Sequence, residues 1–224
     1  MPYRRVPFTQ DEWYHCYSRG IDKRTAFETK RDYERFLEAL YLSNSKETGR
    51  RGAFQNLHHD AVLRLERKEP IVAIGAYCLM PNHFHLLIKE IAEGGITKFM
   101  HRVGTSYTMY FNVKRERVGN LFVKPFRSKH VAGDIYFRRV AQYIHLNPVE
   151  LFEPQWKTGV VSNGDVLERR LKKYPYSSLP EYSGAKRLES TILDQESVEL
   201  LKEDAPPLNE LIPEMAAYYA ELES

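Results

Sequence analysis

Two apolar stretches, Ile71 to Leu79 and His83 to Lys89 (HFHLLIK), are parted only by Met80-Pro81-Asn82. Both have strand character. The proline removes a ladder donor and constrains Met80, so the first strand must break there before the second resumes. A chain organised round such a pair is committed to a sheet. Trp13 to Arg19 (WYHCYSR), ended by Gly20, reads as an earlier strand, and Leu121 to Lys129 (LFVKPFRSK) as a short basic edge segment. Between them the apolar period changes. Tyr33, Phe36, Leu37, Leu40 and Tyr41 recur at helical spacing within 32–42. Ile96, Phe99, Met100, Val103, Tyr107, Tyr110 and Phe111 mark a long helix between the breaks at Gly94-Gly95 and Gly119-Asn120. A further helix starts at Asp134, a good N-cap, and runs to about Asn147, where Pro148 is expected to stop it. Residues 44–69 read as a loop with a short helix around Ala61 to Arg67, and Leu208 to Leu222 as a terminal helix. Strand, helix, strands, helix, strand, helix predicts an α+β fold with helices on an antiparallel sheet.

The 224 residues suffice for one ordinary domain plus extensions. No apolar run approaches the roughly 20 residues that span a bilayer, and the first fifteen residues hold no signal-like stretch. Cys16 and Cys78 are the only cysteines, so no disulfide framework is expected and the predicted compartment is the reducing cytoplasm. Charge is unevenly placed: from Leu188 onward one base faces ten acids, which leaves residues 1–187 with 32 bases against 20 acids. A basic body suits a polyanionic partner, although composition alone explains it equally well as a solvated surface.

In a strand, alternate residues share a face, so His83 and His85 project together while Phe84 points the other way. Two neutral imidazoles on one rigid strand can converge on a cation. A lone His-x-His triplet also arises by chance. A longer His-x-His-x-Asp-His run is excluded because Leu86 and Leu87 follow, and no Cys-x-x-Cys or His-Glu-x-x-His is present.

On the helix from Asp134, Phe137, Val140, Ala141 and Ile144 form the apolar side. Tyr136, Arg139, Tyr143 and Asn147 share another stripe. An amide oxygen at Asn147, one turn beyond Tyr143, is placed to complete a two-histidine metal site that Tyr143 would face. A cation there would polarise a phosphate, a tyrosine oxygen would form a covalent phosphotyrosine, and the nearby charge would favour the phenolate. No general base is identifiable. Helical spacing alone favours reading Tyr143 as one of fifteen tyrosines, an amphipathic residue at a core margin.

The motifs together resemble a known family. YCLMPNHFHLLI (77–88) resembles the signature of HUH single-tyrosine transposases of the insertion-sequence (IS200-like) type, and YIHLNPV (143–149) resembles their nucleophile helix. Residues 110–131 resemble the family's passage from long helix into basic strand, and 13–27 its first strand and turn. YPYSSLPEY (174–182) resembles a segment common in REP-associated tyrosine transposases. The likeness covers about residues 10–182. It implies a ferredoxin-like antiparallel sheet with helices packed on one face, the histidines on a central strand and the tyrosine on a facing helix, plus a C-terminal extension. It implies cleavage and rejoining of single-stranded, hairpin-bearing DNA through a 5′-phosphotyrosine and a free 3′-OH, with Mg²⁺ or Mn²⁺. His83 and His85 carry over as metal ligands, Tyr143 as nucleophile and Asn147 as third ligand, where some relatives use glutamine. Residues 1–150 would form the catalytic domain, 151–187 an extension on or near it, and 188–224 an acidic, partly helical tail. Two departures stand out: 44–69 is longer than usual, and Lys124-Pro125-Phe126 replaces the typical Gln-x-Arg-Phe.

Arg19, Arg102, Lys114, Arg115, Arg117, Lys124, Arg127 and Lys129 are candidate DNA contacts, because Glu116 and Asp134 are the only acids in residues 102–139. About half of these bases are expected to be solvated rather than engaged. His101 and His130 are expected at the surface, and His58-His59, in a presumed loop, are not expected to share a metal. The acidic tail is expected either to fold onto the basic face as an electrostatic gate or to act as a solubilising appendage. No membrane partner is expected, and monomer and homodimer both remain open. Two other activities stay in play: a hairpin-binding protein without turnover, and a metal-dependent nuclease that uses water.

Overall fold

The computed structural model describes residues 7–47, 57–158, 161–201 and 208–223. Four antiparallel strands form one sheet: β1 (Trp13–Arg19), β2 (Val72–Met80), β3 (His83–Glu90) and β4 (Arg127–Val131), in the order β2-β3-β1-β4. Helix α1 (Lys30–Ser43) follows β1, and α2 (His59–Leu63) precedes β2. Helix α3 (Gly95–Lys114) links β3 to β4, and α4 (Asp134–Leu146) follows the sheet. This is the expected ferredoxin-like order.

Alternation along the strands builds two cores. Tyr14 and Cys16 of β1, with Phe84, Leu86 and Ile88 of β3, pack with Phe36, Leu37 and Leu40 of α1 and Phe99, Val103 and Tyr107 of α3. Truncating fully buried Phe36 would cost about 3–5 kcal/mol. Leu87 points to the opposite face, as do Ala76, Cys78 and Met80 of β2, and meets a second core with Phe137, Val140 and Ile144 of α4. A bulge between Ile74 and Ala76 resets the side-chain alternation of β2. The resemblance implies helices on one face only; instead α1 and α3 cover one face and α4 the other, because β2 and β3 carry apolar side chains on both, and every residue of β2 is buried.

The start of α1 is held by a capping box in which the Thr29 backbone donates to Asp32 Oδ2 at 2.9 Å. Glu90 Oε2 accepts from the Ile96 amide at 2.7 Å, satisfying one free donor at the start of α3.

The C-terminal part adds to both cores. It comprises α5 (Val149–Phe152), α6 (Gly164–Lys172), α7 (Leu179–Tyr182), α8 (Gln195–Leu201) and α9 (Leu208–Glu223). Tyr176 to Ser178 run beside β2: the Leu79 amide donates to Tyr176 O at 2.9 Å, and the Ser178 amide donates to Tyr77 O at 3.0 Å. This covers an edge that would otherwise offer unpaired backbone groups. Leu211, Ile212, Met215 and Tyr218 of α9 are buried in the second core.

Three boundaries differ from the sequence reading. The segment predicted as a strand over 121–129 is a strand only over Arg127–Val131; Phe122 makes an isolated bridge to Gly20, and Pro125 has no N–H to extend the ladder. Pro148 does not push its predecessor out of helical space: Asn147 keeps φ −48°, ψ −40°, and the chain turns directly into α5. The short helix expected around 61–67 is α2 at His59–Leu63, whereas 48–56 of the predicted loop lie outside the described residues. Among the described residues no helix is long and apolar enough to cross a membrane.

Candidate active site

The period of β3 turns His83 and His85 toward α4. Register fixes their neighbours: Arg19 lies opposite His83 and Tyr17 opposite His85 on β1, while Met80 and Cys78 lie opposite them on β2. The two imidazoles sit 5.1 Å apart, nearly perpendicular at 87°. The Tyr143 ring, brought by α4, stands 5.5 Å from His85 at 84°. The structure thus brings the three predicted side chains together within one chain.

Burial keeps both imidazoles neutral. Desolvation, then the positive charge of Arg19, lowers the His83 pKa to about 4, with Asn147 opposing the shift. Desolvation, then the charges of His15, His83 and Arg19, holds His85 well below its ordinary value. A neutral ring is the form that ligates a cation. His83 Nδ1 lies 2.7 Å from Asn82 Oδ1, and its buried Nε2 makes no hydrogen bond of normal geometry. Asn147 is close enough to favour a proton on His83 even so. The Asn147 Nδ2 donates to Tyr143 O at 2.9 Å, which spends the amide's nitrogen on the helix and leaves its oxygen.

These atoms fit a divalent cation: the buried Nε2 of His83, a second neutral imidazole and the amide oxygen beside them. Among the described residues no group of three or more His, Cys, Asp or Glu could hold a metal. An ion here would therefore draw its remaining ligands from substrate or water.

Two members of the site were not singled out from sequence. His15 is completely buried; its Nε2 lies 2.8 Å from His85 Nδ1 and its Nδ1 lies 3.0 Å from Tyr218 Oη. Desolvation, then the charge of Lys129, lowers its pKa to about 3. Period two along WYHCYSR does put Trp13, His15, Tyr17 and Arg19 on one face, so a signal existed for His15. Tyr218 had none, since its place depends on where α9 docks.

Tyr143 is 2% exposed because α9 lies over it. The Tyr218 ring meets the Tyr143 ring edge-on at 4.5 Å, and the residual gap between α4 and α9 is about 10 Å³, roughly room for one water. The expected electrostatic docking of the tail is thus mainly apolar and aromatic packing. Arg139–Glu214, at 3.2 Å with both side chains about half exposed, is an ion pair at its edge.

The candidate DNA contacts divide into two groups. Arg127 and Lys129 of β4 lie opposite Tyr17 and His15, so with Arg19 they share the face of the histidines; Lys124 is exposed just before β4. The four on or after α3 belong to, or directly follow, the helix that packs on the opposite face of the sheet. Arg102 donates to Ser43 O and Ser45 O, and Lys114 pairs with buried Asp32 at 2.5 Å. Arg115 pairs with Glu28, and Arg117 donates to Asn112 Oδ1 at 2.6 Å. Of the other histidines, His101 is exposed, while His130 lies 2.8 Å from Glu12. His59 contacts Glu38 and Glu189 at 3.4 and 3.5 Å.

Residues 54–147 match the family described as transposase IS200 like. The matched segment holds His83, His85 and Tyr143 and ends at Asn147. No curated protein matches the chain. A solved structure of a REP-associated tyrosine transposase bound to a REP hairpin is similar in fold, with a TM-score of 0.52 at 14% identity, over 84% of this chain and 90% of that one.

Proposed function

We propose, from the match of residues 54–147 to the IS200-like transposase family, that this chain nicks and rejoins single-stranded, hairpin-bearing DNA with Tyr143 as nucleophile. The observation that carries the reading is the Tyr143 ring 5.5 Å from His85, beside His83 and Asn147 in the same chain. His83, His85 and the Asn147 oxygen would hold Mg²⁺ or Mn²⁺. When bound, such an ion polarises the scissile phosphate and offsets charge in the transition state.

The chain's own residues do the rest. Arg19, Arg127 and Lys129 place positive charge on the site face and draw the strand's phosphates there. Tyr143 Oη attacks phosphorus: an Oη–P bond forms as the bond from phosphorus to the 3′ oxygen breaks. The phenol proton leaves to solvent, and the departing 3′ oxygen takes one up, giving a 5′-phosphotyrosine and a free 3′-OH. Attack by a 3′-OH on the phosphotyrosine reverses these steps and rejoins DNA. The hairpin preference is supported by the fold likeness to the hairpin-bound REP-associated enzyme.

The test is a 3′-end-labelled, hairpin-bearing single strand incubated with the full chain and Mn²⁺, then run on a denaturing gel. A labelled band at protein mass that vanishes in Tyr143→Phe is expected. Cleavage without that band would assign the site to a water-using nuclease, and binding without cleavage to a hairpin-binding protein.

A further inference from the structure

We propose that His15 is a positioning residue for His85: it accepts a hydrogen bond from His85 Nδ1–H and so keeps the His85 Nε2 lone pair for a cation. The proposal rests on the reading of His85 as a metal ligand.

The geometry leaves two arrangements. His15 Nε2 and His85 Nδ1 lie 2.8 Å apart, with one ring completely buried and the other 4% exposed. A neutral imidazole carries one N–H, so one ring donates and the other accepts. If His15 donated, the proton of His85 would sit on Nε2 and block ligation there. If His85 donates from Nδ1, its Nε2 is a bare lone pair. The proton of His15 then sits on Nδ1, where it donates to Tyr218 Oη at 3.0 Å. Both nitrogens of His15 and Nδ1 of His85 are then satisfied.

Register favours the second arrangement. His15 lies opposite Leu87 and Arg19 opposite His83, on either side of the row that pairs Tyr17 with His85. The ring of His85 thus turns Nδ1 toward His15, and the Arg19 charge lies toward its far side. A cation on that side favours a lone pair over an N–H. Ligating histidines commonly have the second ring nitrogen fixed in this way, which sets the tautomer and the ring's angle. Here an imidazole does what a carboxylate or carbonyl does elsewhere.

The experiment has two arms on the full chain. Mn²⁺ affinity, read from the EPR signal of the free ion, is compared among wild type, His15→Leu and His15→Gln, with circular dichroism to establish that each is folded. Leu offers no acceptor, and affinity should fall about 10- to 100-fold; the Gln amide oxygen can accept at a similar reach and should hold affinity within about 3-fold. In the second arm, ¹⁵N imidazole shifts of the metal-free wild type should show His85 protonated on Nδ1. A folded His15→Leu that binds Mn²⁺ like wild type, a His15→Gln as weak as His15→Leu, or a proton on His85 Nε2 would each overturn the proposal. A wild type that binds no Mn²⁺ would instead defeat the metal reading, and the tautomer would still decide the role of His15.

Discussion

Tyr218 hydrogen-bonds His15 through its hydroxyl at 3.0 Å while its ring lies edge-on to Tyr143 with centroids 4.5 Å apart. One residue of the last helix therefore touches both the histidine beside His85 and the candidate nucleophile. Substrate cannot reach a phenol that is 2% exposed without movement of α9.

Weakening the packing of α9 should therefore speed the reaction. Met215 is 3% exposed against α4, and Met215→Asp should raise the initial rate of covalent adduct formation about 5-fold or more by favouring the open state. Glu214→Gln removes only the half-exposed pair with Arg139 and should change that rate less than about 3-fold, since such pairs are worth about 0–1 kcal/mol. The opposite ranking would mean that charge rather than packing holds the tail in place.

The two groups of bases predict two kinds of defect. Arg127→Ala should weaken hairpin binding and reduce the slope of log affinity against log salt by about 0.7–0.9. Lys114→Ala should leave that slope unchanged and lower the melting temperature, because Asp32 is fully buried and loses its ion pair. Fluorescence anisotropy between 50 and 200 mM salt, about the range over which such binding weakens steeply, reads the first; thermal denaturation reads the second.

The strands and helices were legible because their signals are local. HFHLLIK alternates, α1 and α3 repeat at helical spacing, and Pro81 marks the break between β2 and β3. The approach of His83, His85 and Tyr143 followed from alternation plus family resemblance. What escaped was set by packing. Tyr143 was read on a polar stripe, yet both sides of α4 are covered, one by the sheet and one by α9, and no local pattern in 134–147 encodes a helix arriving from 208–223. Basicity in 102–117 suggested DNA, but its acidic partners Asp32 and Glu28 are brought in from the start of α1 and the residues before it.

His59 gives the fold a pH dependence separate from the site. Burial pulls its pKa down, but the Glu189 and Glu38 carboxylates, which accept from its ring nitrogens, outweigh this and raise it to about 9. A folded pKa above the ordinary value of 6.5 means that the stabilisation is complete below that value and is lost as pH rises through about 9. The melting temperature should decline across that window. His59→Asn should be less stable at pH about 6 and show a flatter decline, a difference on the order of 1–2 kcal/mol after solvent screening. A wild type whose stability is level from pH about 6.5 to 9 would count against the assignment.

The central claim is that Tyr143 becomes bonded to DNA, and peptide mass spectrometry tests it most directly. Trypsin releases residues 140–157 as one peptide whose single tyrosine is Tyr143. After reaction with a hairpin-bearing single strand, Mn²⁺ and nuclease trimming, that peptide should carry the mass of a 5′-phosphonucleotide. Finding the mass instead on the peptide of Tyr17 or of Tyr218, or on no peptide while the DNA is cleaved, would contradict the account.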